Sequence, residues 1–442
     1  MKKHSLRLSA LILAGAALLW LPQTVSALEM RPWLKIDGTI IEAEFVRQVG
    51  MDVELRDKDG RVQKISKAQL SFGDLDYIAE NAPPDRTIKA LGSSGGAKPP
   101  LPNPAKTVKV DSKTFKKEAG DFKINSRTYR VCETPHFKVM YMKPTDPTEV
   151  AELAERLWVD AAFFHSTFIP KWNDRKMGII LVNDDEAYED VGSWYADMLS
   201  DANNPQAKEE AERIRKTWPR SAAGSVGMPA AQADEQKIFS HLRVFRSFRS
   251  FVDAKTGKVV KKEPIKGVWV PFNTHCLAGD MLGIQAGGTK SSTPEGTFAL
   301  FTGHSYYKEI QLTGRSETGK LHTEGTGKDV GSAGGFQSDK DWAGELKKLL
   351  KKKEGPWKPD LDTLFKTKDN DARQADIVFA YAFARFLQST PERLTAFNKL
   401  AQKVDVAQQV PDLEEIAKIY GYENADALKK AWLAWMEGPE FR

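Results

Sequence analysis

The chain has few cysteines, little excess of either charge and no long hydrophobic run after its first 21 residues. Two cysteines among 442 residues cannot define a disulfide framework. Cys132 and Cys276 either pair in an oxidising compartment or stay free thiols, and the sequence favours neither outcome. Without a long apolar run downstream, no transmembrane segment is expected in the mature chain.

The small net charge argues against a nucleic-acid partner. The formal charge is +5. Three of the cations (Lys2, Lys3 and Arg7) lie within residues 1–27, which contain no acidic residue, so the remaining residues carry +2. A nucleic-acid-binding protein normally carries a strong basic footprint. Apolar residues make up 41% of the chain and charged residues 28%, a balance that predicts two or three ordinary globular domains.

Residues 1–27 have the pattern of a signal peptide. A basic start is followed by an apolar core from Leu8 to Leu21, and Val25-Ser26-Ala27 supplies the small residues of a cleavage site. The apolar core is too short for a stable membrane span, although a signal anchor is the alternative. We therefore expect an exported protein, located in the periplasm or outside the cell.

Residues 28–80 predict a small β domain. Two turn signals, Asp37-Gly38 and Asp59-Gly60, separate short runs in which apolar and polar residues alternate. The pattern indicates a meander of four short strands, followed by a short helix from Asp74 to Ala79. A domain of this size and strand number is expected to form an SH3-like barrel.

The order of landmarks in this region, from Trp33 and Asp37-Gly38 through Gly60 and Leu70-Ser71 to Tyr77, resembles the SLA-homology domain of the first type. The resemblance implies a module that binds short peptide motifs, and in its eukaryotic form it belongs to a cytoskeleton-linked adaptor. Trp33 and Tyr77 are then candidates to line a peptide groove. The alternative is that both aromatic side chains fill the core of the barrel.

Residues 81–106 are rich in proline, glycine and serine, which predicts a flexible linker and independent motion of the parts on either side. Residues 107–442 then predict a larger α+β domain. Its first half contains the expected strands 125–131, 136–141 and 176–182, and its C-terminal part is expected to be helical. The segment 377–387 is apolar nearly all round and should be a buried helix.

The segment His304-Ser305-Tyr306-Tyr307-Lys308 resembles a degenerate zinc-peptidase motif. In H-E-x-x-H the two histidines bind one metal ion from consecutive helical turns, and the glutamate activates water. Here Ser305 replaces the glutamate, Lys308 replaces the second histidine, and Glu324 stands where a third ligand is expected. Together with the helical order that follows, this resembles the peptidase-MA-like (gluzincin-like) domain. The alternative is an ordinary buried histidine in an unrelated fold.

These observations lead to three hypotheses about function. The first is a non-catalytic adaptor that binds a protein or peptide and needs no cofactor, with a Lys308–Glu324 ion pair replacing the metal. The second is an active zinc metallohydrolase that uses unusual ligands, namely His304, His322 and Glu324. The third is a structural protein of the cell envelope.

Overall fold

The computed structural model describes residues 29–82, 101–172, 174–201, 204–218, 223–246, 248–252, 259–264, 270–287, 295–316, 344, 346–347, 350–351 and 358–441. Within these ranges the chain is mixed α+β, as expected from the sequence. A small antiparallel sheet is followed by a larger mixed sheet and then by a helical C-terminal part. No helix in these ranges has the length and apolar character needed to cross a bilayer.

The N-terminal sheet is a four-stranded antiparallel meander, which confirms the predicted strand order. Its strands are β1 (Arg31–Leu34), β2 (Ile40–Val49), β3 (Asp52–Asp57) and β4 (Val62–Ser66), and they are followed by α1 (Phe72–Asn81). The alternating pattern buries one face of the sheet against the helix. The core of this part consists of Trp33, Ala43, Phe45, Val53, Leu55, Ile65, Leu70 and Ile78.

The larger sheet combines antiparallel and parallel pairs. Its strands are β5 (Asp121–Ile124), β6 (Arg127–Glu133), β7 (Phe137–Tyr141), β8 (Lys176–Val182), β9 (Ala223–Gly227) and β10 (Ile238–Arg246). They lie in the order β5-β6-β7-β8-β10-β9, with β7, β8 and β10 parallel to one another. A separate hairpin follows, formed by β11 (Phe248–Val252) and β12 (Val259–Pro264).

Helices cover both faces of the parallel strands, as such strands require. The helices of this part are α2 (Pro104–Thr107), α3 (Thr148–Phe164), α4 (Phe168–Trp172), α5 (Asp185–Asp201), α6 (Pro205–Thr217), α7 (Ala230–Glu235) and α8 (Val270–Gln285). One core contains side chains of α3, α4 and α8 with one face of the sheet. A second core contains α5 and α6 with the opposite face.

The C-terminal part is built around one buried helix. A π-helical turn (Phe298–Thr302) leads into α9 (Gly303–Thr313), followed by α10 (Leu361–Lys366), α11 (Gln374–Leu387), α12 (Pro391–Ala407), α13 (Leu413–Ile419) and α14 (Ala425–Glu437). The predicted buried helix is α11, which lies at the centre of a helical core. Gly303 allows α9 to approach it closely, because a Cβ at Gly303 would lie 2.4 Å from the carbonyl oxygen of Ala380.

Both cysteines are free thiols, so the disulfide alternative is not realised. Cys132 lies on β6 with no exposed surface, and Cys276 lies on α8 against the same core. Burial raises the pKa of the Cys276 thiol to about 12. This thiol is therefore protonated at neutral pH, a form that does not attack disulfides.

The small domain is docked on α3, whereas the linker composition led us to expect independent motion. The ring of Phe72 on α1 lies 5.9 Å from that of Phe163 and 5.7 Å from that of Phe164, measured between centroids. Leu34, at the end of β1, belongs to the core of the larger domain. Aromatic contacts of this kind contribute beyond the area that they bury.

The predicted linker, residues 81–106, is partly built into the two domains. Helix α1 extends to Asn81, and Leu101 packs on the core of the larger domain. Pro104 and Ala105 are buried where α2 contacts α3. Residues 83–100 lie outside the described part of the chain.

We predict that cutting the chain at a protease site introduced between residues 83 and 100 leaves the two pieces associated. Phe72→Ala should weaken this association by up to about 3 kcal/mol, because it removes the ring that contacts the two phenylalanines of α3. Size-exclusion chromatography of the cut protein measures the effect. Met51→Ala is the matched control, since Met51 is 71% exposed in the β2–β3 turn. Separation of the wild-type pieces would contradict the docked arrangement.

Candidate functional site

Two helices, α9 and α3, bring four ionisable side chains together inside the larger domain. His304 and Lys308 lie on consecutive turns of α9 and face the same cavity, as their spacing predicts. Asp160 comes from α3, and His165 follows directly after that helix. All four residues are at most 4% exposed. A group of this kind away from solvent is a candidate site on physical grounds.

The charges of the site are an ion pair between α9 and α3. The Lys308 ammonium donates to Asp160 Oδ2 at 2.7 Å and to Gln311 Oε1 at 3.1 Å. It also lies 4.7 Å from the centre of the Phe164 ring, within the range of a cation–π contact. Because a buried charge is costly without such partners, this pair fixes the two helices relative to each other.

The two histidines of the site are held in the neutral form. Burial, reinforced by the Lys308 ammonium, lowers the pKa of His165 to about 3. Burial, the same ammonium and the neighbouring His165 hold the pKa of His304 well below its usual range. The His304 ring also contacts Gln388, directly after α11, at 3.1 Å between Nδ1 and Nε2. The charge of the cluster is therefore confined to the ion pair of Lys308 and Asp160.

The cavity between these side chains is very small. It offers about 10 Å³, which is about the space that one water molecule needs. Its remaining wall is mostly apolar and comes from α3 and α8, including Leu157, Ala161, Ala278 and Met281. A peptide substrate has no room there.

Ser305, which stands at the position of the general base, points away from the cavity. Its hydroxyl donates to the carbonyl oxygen of Phe301 at 3.0 Å. It also packs against α8 at Gly279, where an added Cβ would lie 2.6 Å from Ser305 Oγ. Ser305 therefore serves the close contact of two helices, and a glutamate at this position would collide with α8.

The remaining members of the predicted motif, Glu324 and His322, lie outside the described residues. The proposed Lys308–Glu324 ion pair therefore stays a prediction, and in the described part of the chain the carboxylate that pairs with Lys308 is that of Asp160. Within those same ranges, no group of three or more histidine, cysteine, aspartate or glutamate residues is arranged to hold a metal ion.

No motif in the sequence marks Asp160, His165 or Gln388 as a site residue. One signal was available, because Asp160 lies on the apolar face of α3, beside the buried residues Leu157 and Phe164. A carboxylate at such a position requires a buried partner. The pattern does not say which cation that partner is.

Helix α8, which forms one wall of the cavity, is tied to the sheet by charged groups. Asp280 forms ion pairs with Arg243 and His241, both on β10. Burial opposes the ionised form of Asp280, but the Arg243 guanidinium holds the pKa of this carboxyl well below its usual range. On the opposite side of α8, His275 contacts the buried Glu309 of α9 at 3.2 Å. These contacts hold the wall of the cavity in place.

The candidate peptide-binding residues of the small domain have different environments. Trp33 is fully buried and its indole donates to the carbonyl oxygen of Ala43, so it fills the core and does not line a groove. Tyr77 is half-buried, and the Arg31 guanidinium lies 4.2 Å from the centre of its ring. Arg31 is itself paired with Asp74 at 3.0 Å. One face of Tyr77 is therefore already covered.

Comparison of the chain with protein-family models, with curated proteins and with solved structures found no match in any of the three. The resemblances to the SLA-homology and peptidase-MA-like domains therefore rest on the residues given above.

We predict that Asp160→Asn destabilises the protein by about 3–5 kcal/mol, because it leaves the Lys308 ammonium buried without a counter-charge. The double variant Asp160→Leu/Lys308→Met should recover most of this loss, since it removes both charges and keeps the volume. Urea denaturation measures the free energy of unfolding of each variant. A loss below about 1 kcal/mol in Asp160→Asn would contradict the role assigned to the pair.

Acid should destabilise the fold through the two neutral histidines. Below about pH 6.5 the unfolded chain takes up a proton at His165, whereas the native state does so only near pH 3. The free energy of unfolding should therefore fall by up to about 1.4 kcal/mol per pH unit for each such histidine. Denaturation between pH 7 and pH 4 measures this slope. We expect a shallower slope in His165→Leu, and an unchanged slope would count against the assignment.

Proposed function

We propose that the protein is an exported, non-catalytic protein-binding protein. Its large domain would be a degenerate gluzincin-like domain, and its small domain an SH3-like module of the SLA-homology type. The observation that carries this proposal is the buried Lys308–Asp160 ion pair. A cation lies one helical turn from His304, where a metallopeptidase has a neutral imidazole. A neutral Lys308 could no longer form its ion pair with Asp160.

The space around the site supports the same proposal. Small-molecule sites usually offer about 300–1,000 Å³, whereas the cavity beside Lys308 offers about 10 Å³. The side chain at the general-base position packs against α8. The zinc metallohydrolase alternative would require both features to rearrange, so the non-catalytic function has more support.

An open surface suited to binding lies elsewhere on the large domain. A groove of about 500 Å³ runs between the start of α12 and the turn that follows α13. It lies beside the small domain, because Thr395 in the groove donates to Asp76 of α1 at 3.4 Å. A partner in this groove would lie at the junction of the two domains, which is an arrangement that suits an adaptor.

The mature chain, residues 28–442, tests the proposal through its zinc content and its activity on a mixture of fluorogenic peptides. We expect less than 0.1 equivalent of zinc after dialysis against about 10 μM zinc, and no hydrolysis that a chelator abolishes. Lys308→His is the matched variant, and we expect it to lose stability without gaining hydrolysis. One equivalent of zinc together with chelator-sensitive hydrolysis by the wild-type protein would overturn the proposal in favour of the metallohydrolase.

A further inference from the structure

We propose that Arg393 in this groove binds the C-terminal carboxylate of a peptide. The inference deepens the proposed binding function and rests on it. This opening, the Arg393 groove, is lined by Thr390, Glu392, Arg393, Lys399, Tyr422 and Glu440, among others. Four observations support the assignment: the partners of the arginine, its fixed position, the charge balance of the groove and the size of the opening.

The Arg393 guanidinium has neutral partners only among the described residues. One N–H donates to Ser389 Oγ at 2.7 Å and another to the Tyr422 hydroxyl at 3.4 Å. Arginine has five side-chain N–H groups, so three remain for a ligand. No carboxylate in the described ranges forms an ion pair with it. A planar guanidinium with free N–H groups matches the two oxygens of a carboxylate.

The arginine is held in place before any ligand arrives. Its guanidinium carbon lies 3.9 Å from the centre of the Phe386 ring, which is fully buried. Ser389 Oγ donates to the carbonyl oxygen of Phe386 at 2.9 Å, which orients it to accept from Arg393. Because little conformational freedom is lost on binding, a fixed cation of this kind favours affinity.

The turn that carries Tyr422 is also fixed. Gly421 has a φ of +75°, a conformation that ends α13 and that glycine adopts without strain. The backbone N–H of Tyr422 then donates to the carbonyl oxygen of Ala417 at 2.8 Å. As an acceptor from Arg393, the Tyr422 hydroxyl keeps its own proton available for a ligand oxygen.

The charge of the groove selects among anions. Arg393 and Lys399 are cationic, and Glu392 and Glu440 are acidic, so the formal charges cancel. A polyanion would place extra negative charges near these two carboxylates and be repelled by them. A ligand with one carboxylate can place that charge on Arg393 and leave only its polar main chain near them. The opening of about 500 Å³ falls in the range of ordinary ligand sites. A peptide terminus satisfies these conditions.

Fluorescence anisotropy of the full mature chain with labelled hexapeptide pools tests the assignment. Each pool has one fixed last residue and is made in two forms, with a free C-terminal carboxylate and with a C-terminal amide. We expect at least one carboxylate pool to bind roughly ten- to a hundredfold more tightly than its amide form, the range for a hydrogen bond to a charged group. This comparison uses the wild-type protein and depends on no variant.

Variants then assign the effect to the groove. Arg393→Gln should remove the preference for the carboxylate form, and Arg393→Lys should restore only part of it because the planar fork is lost. Arg213→Gln is the matched control, since Arg213 is an exposed arginine of α6, and it should bind like the wild type. Thermal denaturation checks that each variant is folded.

Several outcomes would overturn the inference. Equal binding of the carboxylate and amide pools, or an unchanged preference in Arg393→Gln, would show that peptides bind elsewhere and would leave the proposed function standing. Full competition by millimolar acetate would show a site for small carboxylates and not for peptide ends. Absence of binding to every pool would overturn the inference, and zinc-dependent hydrolysis of the pools would overturn the proposed function itself.

Discussion

The buried ion pair between Lys308 and Asp160 is the interaction on which the interior of the large domain depends. Each charge alone would cost several kcal/mol to remove from water, so each requires the other. The pair joins α3 to α9 across 148 residues of sequence. The same ammonium helps to keep His165 and His304 neutral. The relative position of the two helices and the neutral state of the two histidines therefore depend on the same ion pair.

Helix α3 links this interior to the small domain. Its Asp160 faces the cavity, while Phe163 and Phe164 contact Phe72 of α1. The docking of the small domain therefore depends on a helix that the buried ion pair holds in place. Proline- and glycine-rich composition between two domains predicts freedom of movement, but contacts outside that segment decide whether the domains move.

The closed site and the open groove have opposite physical characters. Around Lys308 the two opposite charges pair with each other, and the cavity has room for about one water molecule. Around Arg393 the partners are neutral and the cation faces an opening at the junction of the two domains. Binding energy for a ligand comes from groups whose hydrogen bonds are not already made within the protein. This difference is why we assign binding to the groove.

The sequence by itself determined the features that follow from local periodicity. Alternation predicted the N-terminal meander, the apolar run predicted the buried α11, and a spacing of four residues placed His304 and Lys308 on one helix face. Only the tertiary structure decided that the partner of Lys308 is Asp160 and that Ser305 faces α8. Periodicity tells which face of a helix is buried, but not which helix packs against it, because that choice depends on contacts between residues far apart in the chain.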